Sequence, residues 1–187
     1  KLLLKSALIY DATSAHHGKK RDILLQGNRI LSIAPEIQEN RVKTVDGKGL
    51  IISRGWTDLV ARSGEPGMEY KEDFSSLKNA ARRGGFTQVA ILPSTTPVID
   101  NKSAIQFIAN QSDQHITFLP IAALSENLQG KQWTEMFDLQ QAGAVAYSDD
   151  RGSISTELMC RALEYSQSVD GRVMVLPFDR GVNGNGQ

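Results

Sequence analysis

An aspartate pair, Asp149 and Asp150, directly follows an apolar segment and is the clearest candidate in the chain for chemistry. Carboxylate oxygens can bind a divalent cation, and a metal-bound water can act as a nucleophile near neutral pH. The same pair after a strand is also typical of a turn or a helix cap, and this interpretation stays open for Asp149. The three histidines that could complete a metal site, His16, His17 and His115, lie in polar loop segments, where we expect them to be solvated.

The first fifty residues are predicted to form a small β-domain. Two apolar segments, residues 22–26 and 29–33, flank Gly27 and Asn28. Glycine and asparagine adopt positive φ at low cost, so this spacing predicts a two-residue β-hairpin. We therefore assign residues 1–50 to the N-terminal part of a small β-sandwich domain.

From residue 51 onward, apolar segments alternate with helical patterns, which predicts β/α units and a parallel sheet over residues 51–187. The first helix has Asp73 or Ser75 as its candidate N-cap, and Gly84 with Gly85 as its stop signal. The strand candidates are residues 55–60, 87–92, 116–123, 144–148 and 173–176, and the helix candidates are residues 74–83, 102–111, 133–142 and 156–169.

The composition argues against several classes of partner. With 21 basic and 21 acidic residues among 187, the chain lacks the basic excess typical of proteins that bind nucleic acids or anionic membranes. No apolar run approaches the length of a membrane span or a signal peptide. The single cysteine, Cys160, cannot form an internal disulfide and lies in a helical pattern, which predicts a small buried apolar residue. These features predict a soluble, cytoplasmic protein that binds neither nucleic acid nor membrane.

Residues 58–67 read Asp-Leu-Val-Ala-Arg-Ser-Gly-Glu-Pro-Gly, and residues 142–150 end in Tyr-Ser-Asp-Asp. The first segment resembles the first barrel strand and loop of dihydroorotases, which are cyclic amidohydrolases of the amidohydrolase superfamily and read Asp-x-His-x-His-x-Arg-Glu-Pro-Gly there. The second segment resembles the end of their strand four. Other residues that match the family in order are Glu69, Lys71-Glu72-Asp73, Gly84-Gly85-Phe86-Thr87, Pro93, Pro97 and Asp100.

The resemblance implies an α/β fold, namely a TIM-like (β/α)8 metallo-hydrolase barrel that follows a small N-terminal β-domain. Such a barrel typically takes about 250 residues, whereas residues 51–187 contain five strand candidates. We therefore expect about the first five strands of the barrel, in a chain that is truncated relative to the family.

The resemblance also implies a degenerate metal site. The two histidines of strand one match Val60 and Arg62, and the histidine of strand five matches Pro177. Alternate residues of a strand share a face, so Val60 and Arg62 would point together at the barrel mouth. Valine offers no lone pair and arginine brings a fixed positive charge. Asp150 keeps the position of a metal-contacting aspartate.

Substrate recognition is reduced independently of the metal site. The arginine and the asparagine that bind the substrate carboxylate in the family match Gly64 and Ser94. Gly64 supplies no charge-assisted fork for a carboxylate, and Ser94 keeps one hydroxyl. Loss of metal and substrate ligands together is typical of a site that is no longer under catalytic demand.

Arg62 suggests a structural replacement for the metal. A buried carboxylate that loses its partner costs about 3–5 kcal/mol. If the guanidinium of Arg62 points into the barrel mouth, it can pair with Asp150 and supply the missing positive charge.

Three interpretations of function follow, and they leave open whether the protein is an enzyme. The first is a non-catalytic dihydroorotase-like protein of de novo pyrimidine biosynthesis that needs no cofactor, forms a homo-oligomer and acts as a structural partner of aspartate carbamoyltransferase. The second is an active dihydroorotase or related cyclic amidase, with zinc held by ligands from outside this segment. The third is a repurposed binding protein for a small molecule in the barrel mouth.

Overall fold

The computed structural model describes residues 1–152 and 154–175, and the chain divides into two compact units. The first unit is Lys1–Arg54, and the second begins at Gly55. Among the described residues, no helix is long and apolar enough to cross a bilayer.

The first unit contains one five-stranded sheet. Its strands are β1 (Leu2–Ile9), β2 (Lys20–Gln26), β3 (Arg29–Ala34), β4 (Lys43–Asp46) and β5 (Ile51–Ile52). The strand order is β3-β2-β1-β4, and β5 also pairs with β1. β2 is antiparallel to both of its neighbours, whereas β4 and β5 run parallel to β1.

The predicted β-hairpin joins β2 and β3. Gln26 pairs directly with Arg29, so Gly27 and Asn28 form the two-residue loop. Gly27 has a φ of 58°, the left-handed conformation that its lack of a Cβ makes inexpensive. The hairpin prediction is therefore confirmed.

The second unit is a parallel sheet flanked by helices. Its strands are β6 (Trp56–Ala61), β7 (Phe86–Ile91), β8 (Thr117–Ala123) and β9 (Ala146–Ser148), in the order β6-β7-β8-β9. Its helices are α1 (Phe74–Gly84), α2 (Lys102–Asn110), α3 (Met136–Gln141) and α4 (Thr156–Ser168), and a short 3₁₀ turn spans Glu126–Leu128. This is the predicted alternation of strands and helices.

The predicted fifth strand is represented by a single bridge. Val173 pairs in parallel with Tyr147, the middle residue of β9. The backbone bonds from Tyr147 N to Arg172 O (2.9 Å) and from Met174 N to Tyr147 O (2.8 Å) place the chain at the open edge of β9. The last residue of this prediction, Leu176, lies outside the described residues.

The ends of α1 follow the capping signals in the sequence. The Asp73 carboxylate accepts a hydrogen bond from Ser76 N at 2.7 Å, so Asp73, not Ser75, is the N-cap. At the other end Gly85 has a φ of 79°, and its N–H reaches the carbonyls of Ala81 and Arg82. These local bonds fix where the helix begins and ends.

α3 is shorter than predicted, because the residues before it are used by a loop. Trp133 forms a β-bridge with Ser125. Thr134 N donates to Leu124 O at 3.0 Å, and the Thr134 hydroxyl donates to Ala123 O at 2.8 Å. These bonds hold residues 133 and 134 in extended backbone, so the helix begins at Met136.

The core of the second unit lies between its sheet and its helices. Val89, Ile91 and Phe118 from the strands meet Ile105 and Ile108 from α2, and each is at most 2% exposed. Full burial of such a side chain contributes about 1.5–3 kcal/mol. This packing fixes the positions of the strand ends that carry the candidate site.

The prediction that Cys160 is buried is wrong. The buried face of α4 is formed by Ala162 and Ser166, whereas Cys160 is exposed. Two residues on a helix differ by about 200° in direction, so Cys160 and Ala162 point to opposite sides. Leu163 and Tyr165 of the same helix are 44% and 43% exposed.

Candidate functional site

Three polar side chains meet where the parallel strands end. Arg62 directly follows β6, Ser94 lies three residues after β7, and Asp150 lies two residues after β9. Strands that run in parallel place their carboxyl ends at the same edge of the sheet, where α/β proteins usually position ligand-binding groups. The predicted site positions Arg62, Ser94 and Asp150 are therefore brought together.

The Arg62 guanidinium binds the Asp150 carboxylate. Arg62 Nε donates to Asp150 Oδ2 at 3.2 Å, and Nη2 lies 3.1 Å from the same oxygen. Nη2 also donates to the Asp150 carbonyl at 3.3 Å, and Ser94 Oγ donates to Oδ2 at 2.7 Å. The ion pair predicted from the sequence is therefore present, and Ser94 joins it.

The bonds to the carboxylate are asymmetric. All three donors contact Oδ2, whereas Oδ1 of Asp150 is buried and accepts no hydrogen bond within the described part of the chain. The guanidinium is used unevenly as well, because its contacts involve Nε and Nη2, and no described residue accepts from Nη1. Asp150 Oδ2 is therefore contacted by three donors, whereas the N–H groups of Arg62 Nη1 bind no described residue.

A cavity of about 230 Å³ opens beside the ion pair. The Arg62 side chain is 57% exposed, whereas the Asp150 side chain is 6% exposed. The charge presented at the surface is therefore mainly the guanidinium. The apolar side chains that line the cavity are Val60, Leu92, Met174 and Val175.

The family resemblance implies a metal centre at this position, but the described side chains do not fit one. Val60 lines the cavity with an aliphatic side chain, and Arg62 already places a fixed cation on Asp150. Within residues 1–152 and 154–175, no three histidine, cysteine, aspartate or glutamate side chains are grouped to hold a metal ion. The fourth predicted position, Pro177, lies outside the described residues.

Gly64, a predicted substrate position, is enclosed by backbone. A Cβ at this position would lie 2.5 Å from the carbonyl oxygens of Glu72 and Met68, and 2.8 Å from Glu72 N. The hydrogen bond from Met68 N to Gly64 O, at 2.6 Å, holds this turn closed. A side chain at position 64 would therefore require the loop to move.

A hydrogen bond to the Glu65 carboxylate stabilises the loop after β6. Glu65 Oε2 accepts a hydrogen bond from Phe74 N at 2.9 Å, which satisfies the first free N–H of α1. Glu65 N donates in turn to Ser63 Oγ at 3.1 Å. Gly67 lies so close to the next loop that a Cβ there would sit 2.2 Å from the carbonyl oxygen of Thr96. The Glu-Pro-Gly motif therefore shapes the loop.

Asp149 has a structural role at this edge. Its Oδ1 accepts hydrogen bonds from Leu124 N at 2.9 Å and Ser125 N at 3.0 Å, and its Oδ2 accepts one from the Ser125 hydroxyl. Burial raises the pKa of the Asp149 carboxyl group, and the bonds from Ser125 and Leu124 oppose that rise. Asp149 thus secures the loop after β8 through bonds to residues 24 and 25 positions away, rather than through a bond within a local turn or helix cap.

Sequence reasoning missed two parts of this site. Met174 and Val175 line the cavity, although they were predicted only as residues of a fifth strand. Ser125 was not singled out, although it supplies two of the donors to Asp149. The available signal for Ser125 was a serine two residues after a long apolar strand, because polar side chains at strand ends often form the site.

Comparison with known proteins identifies the family of this chain. A family model described as dihydro-orotase-like matches residues 49–185. The chain is 37% identical over 191 residues to a dihydroorotase from Syntrophotalea carbinolica, covering 100% of the chain and 44% of that protein. It is 38% identical over 175 residues to a dihydroorotase from Syntrophus aciditrophicus, covering 91% of the chain and 41% of that protein. The chain therefore spans less than half the length of these relatives.

Solved structures agree on the fold. An L-hydantoinase from Arthrobacter aurescens superposes with a TM-score of 0.75 at 16% identity, covering 94% of this chain and 40% of that one. A dihydroorotase crystal structure superposes with a TM-score of 0.64 at 13% identity, covering 93% and 50%. These neighbours are TIM-barrel amidohydrolases, which confirms the predicted fold class for the second unit. With residues 49–185 matched by the family and two curated relatives above 35% identity, the chain belongs to the dihydroorotase-like family of amidohydrolases.

Proposed function

We propose that this chain is part of a non-catalytic dihydroorotase-like protein of de novo pyrimidine biosynthesis, which acts as a structural partner of aspartate carbamoyltransferase. Its family membership supports the pathway. The proposed loss of catalysis is supported by the described side chains at the strand ends.

The observation that carries this proposal is the position of the Arg62 guanidinium, 3.1 Å from Asp150 Oδ2. Hydrolysis in this superfamily needs a Lewis acid and a metal-bound hydroxide. A guanidinium cannot be deprotonated in a protein, so it offers neither a lone pair to a metal nor a coordination site for water. The guanidinium neutralises the Asp150 carboxylate but supplies neither a Lewis acid nor a bound hydroxide.

The Gly64 loop supports the same proposal from the substrate side. Because the position is enclosed by the carbonyls of Met68 and Glu72, it has neither a side chain nor space for one. Ser94 donates its hydroxyl to Asp150, so the second predicted substrate position is already engaged inside the protein. Both expected carboxylate contacts are therefore weakened in the described chain.

A structural partner needs ordered loops more than it needs a metal. The loop after β6 is held by Glu65 and by the contact between Gly67 and Thr96, and the loop after β8 is held by Asp149. None of these contacts depends on a metal ion. The strand-end surface can therefore stay ordered for binding another protein. We also propose that the protein is a homo-oligomer.

An active enzyme is the second candidate, and one observation favours it. Asp150 Oδ1 is buried and unpartnered among the described residues, so it could accept a ligand or a metal held by residues from elsewhere in the protein. In that case the contact between Arg62 and Asp150 would have to open, because the guanidinium and the metal or ligand would compete for the same carboxylate.

Metal content and turnover of the full-length protein separate these candidates. Inductively coupled plasma mass spectrometry after purification without chelators should find less than one zinc per ten chains, and dihydroorotate hydrolysis should not exceed the background. Stoichiometric zinc together with turnover would establish the second candidate instead.

A pull-down with the aspartate carbamoyltransferase of the same organism should retain that enzyme, and light scattering should give a mass above one chain. Failure of the pull-down would remove the partner from the proposal.

A further inference from the structure

The cavity beside Arg62 presents a positive charge, although the ion pair behind it is neutral. The Arg62 side chain is 57% exposed, whereas Asp150 is 6% exposed and points its Oδ2 at three donors. A ligand in the cavity therefore meets the guanidinium and not the carboxylate. An approaching anion is attracted, and a divalent cation is repelled.

The guanidinium of Arg62 has donors left for an anion. Nε and Nη2 bind Asp150, and Nη1 donates to no described residue. Nη1 carries two N–H groups, and each can donate a charge-assisted hydrogen bond to a carboxylate oxygen. The site thus keeps one set of strong donors for an external oxyanion.

The remaining walls of the cavity favour an apolar ligand body. The apolar part of the lining is formed by Val60, Leu92, Met174 and Val175. Ser148 also lines the cavity but is only 4% exposed, so it adds little polar surface. A polar ring with several N–H and C=O groups would leave those groups unpaired here, at a cost in affinity. The volume of about 230 Å³ accommodates a small organic molecule.

We propose that this cavity binds a small aliphatic monocarboxylate, whose oxygens accept hydrogen bonds from Nη1 of Arg62 and whose alkyl group packs on Val60 and Leu92. In this proposal the site favours an organic anion over a divalent cation. This inference goes beyond the proposed structural role, and it holds or fails independently of the binding of aspartate carbamoyltransferase.

Isothermal titration calorimetry on the full-length protein tests the proposal with three probes. Isobutyrate should bind saturably, whereas isobutyramide, its neutral analogue of the same shape, should bind at least about ten-fold more weakly. Inorganic phosphate carries charge without an alkyl group and should also bind more weakly than isobutyrate. Zinc ions should neither bind at this site nor displace isobutyrate.

Variants locate the site. Arg62→Gln should weaken isobutyrate binding by about ten- to a hundred-fold, because a charge-assisted donor is lost. Arg161→Gln is the matched control, since Arg161 is 61% exposed and pairs with Glu157 at 2.7 Å on α4. Val60→Thr leaves the ion pair in place and should cost about three- to ten-fold through the lost apolar contact.

Circular dichroism should show that each variant is folded before it is titrated. The proposal is overturned if isobutyrate shows no saturable binding, or if isobutyramide binds equally well. It is also overturned if Arg62→Gln and Val60→Thr both bind like the wild type. Equal affinity for phosphate and isobutyrate would contradict the assigned alkyl subsite.

Discussion

Arg62 and Asp150 are 88 residues apart in sequence, yet Arg62 Nε lies 3.2 Å from Asp150 Oδ2. The pair joins the carboxyl end of β6 to that of β9, the first and last strands in the sheet order of the second unit. A contact between such distant segments helps to fix the spacing of all the strand ends between them.

Replacing Arg62 with methionine should lower the free energy of unfolding by about 1–3 kcal/mol, because the buried Asp150 loses its charged partner. The loss should be smaller than for a fully buried pair, because the Arg62 side chain is 57% exposed and its charge is screened by solvent. Urea unfolding measures this loss. The double variant R62M/D150N should be more stable than the sum of the two single losses predicts, because the neutral amide no longer needs the cation. Strict additivity of the two losses would show that the pair contributes no coupling energy.

Replacing Gly64 with alanine should destabilise the protein by about 1–3 kcal/mol, because the new Cβ would lie 2.5 Å from two backbone carbonyl oxygens. Gly49→Ala is the control, since its Cβ meets no atom within 4 Å and its cost comes from a φ of 85° alone. Thermal unfolding of both variants measures the difference. We expect Gly64→Ala to be the less stable, and the reverse order would contradict the tight packing of this loop.

Asp149 should make stability depend on pH in a defined direction. Burial raises the pKa of its carboxyl group in the folded state, so the folded protein binds this proton more tightly than the unfolded chain does. This contribution to stability is fully present below the unfolded pKa of about 3.8 and is lost as the pH rises through the folded pKa.

The variant Asp149→Asn isolates that effect. It keeps an oxygen acceptor for Leu124 N and Ser125 N but cannot titrate. The free energy of unfolding of the wild type, measured by urea titration from pH 4 upward, should fall relative to the variant as the pH rises. A constant difference between the two proteins over this range would rule out titration of Asp149.

Cys160 should react in the native protein. Its exposure on α4 predicts that one thiol is modified by Ellman's reagent without denaturant. Cys160→Ser should abolish this signal and change the free energy of unfolding by less than about 0.5 kcal/mol, as is usual for a surface position. Reaction only after addition of urea would show that the residue is protected in the folded state.

Signals that act over a few residues were readable from the sequence. The Gly27-Asn28 hairpin and the Asp73 cap of α1 depend on backbone conformation and one nearby hydrogen bond. The pairing of Arg62 with Asp150 was also predicted, because strand alternation and the family's strand order place both side chains at one edge. Periodicity and motif order were sufficient for these features.

Features that depend on contacts between distant segments could not be predicted from the sequence. The start of α3 is set by the bridge of Trp133 to Ser125, which overrides the helical pattern of its sequence. The exposure of Cys160 depends on which face of α4 meets the sheet. The enclosure of Gly64 depends on how Met68 and Glu72 fold back over it. Each case requires the packing of two segments, which local propensity does not contain.

The bond from Phe74 N to Glu65 gives the Glu-Pro-Gly signature a reason to persist that has nothing to do with turnover. Selection for a correctly closed loop would retain these three residues even in a protein that no longer hydrolysed dihydroorotate. The Glu-Pro-Gly signature alone is therefore not evidence of dihydroorotase activity. A reliable assignment has to inspect the residues two and four positions beyond Asp58, where this chain carries Val60 and Arg62.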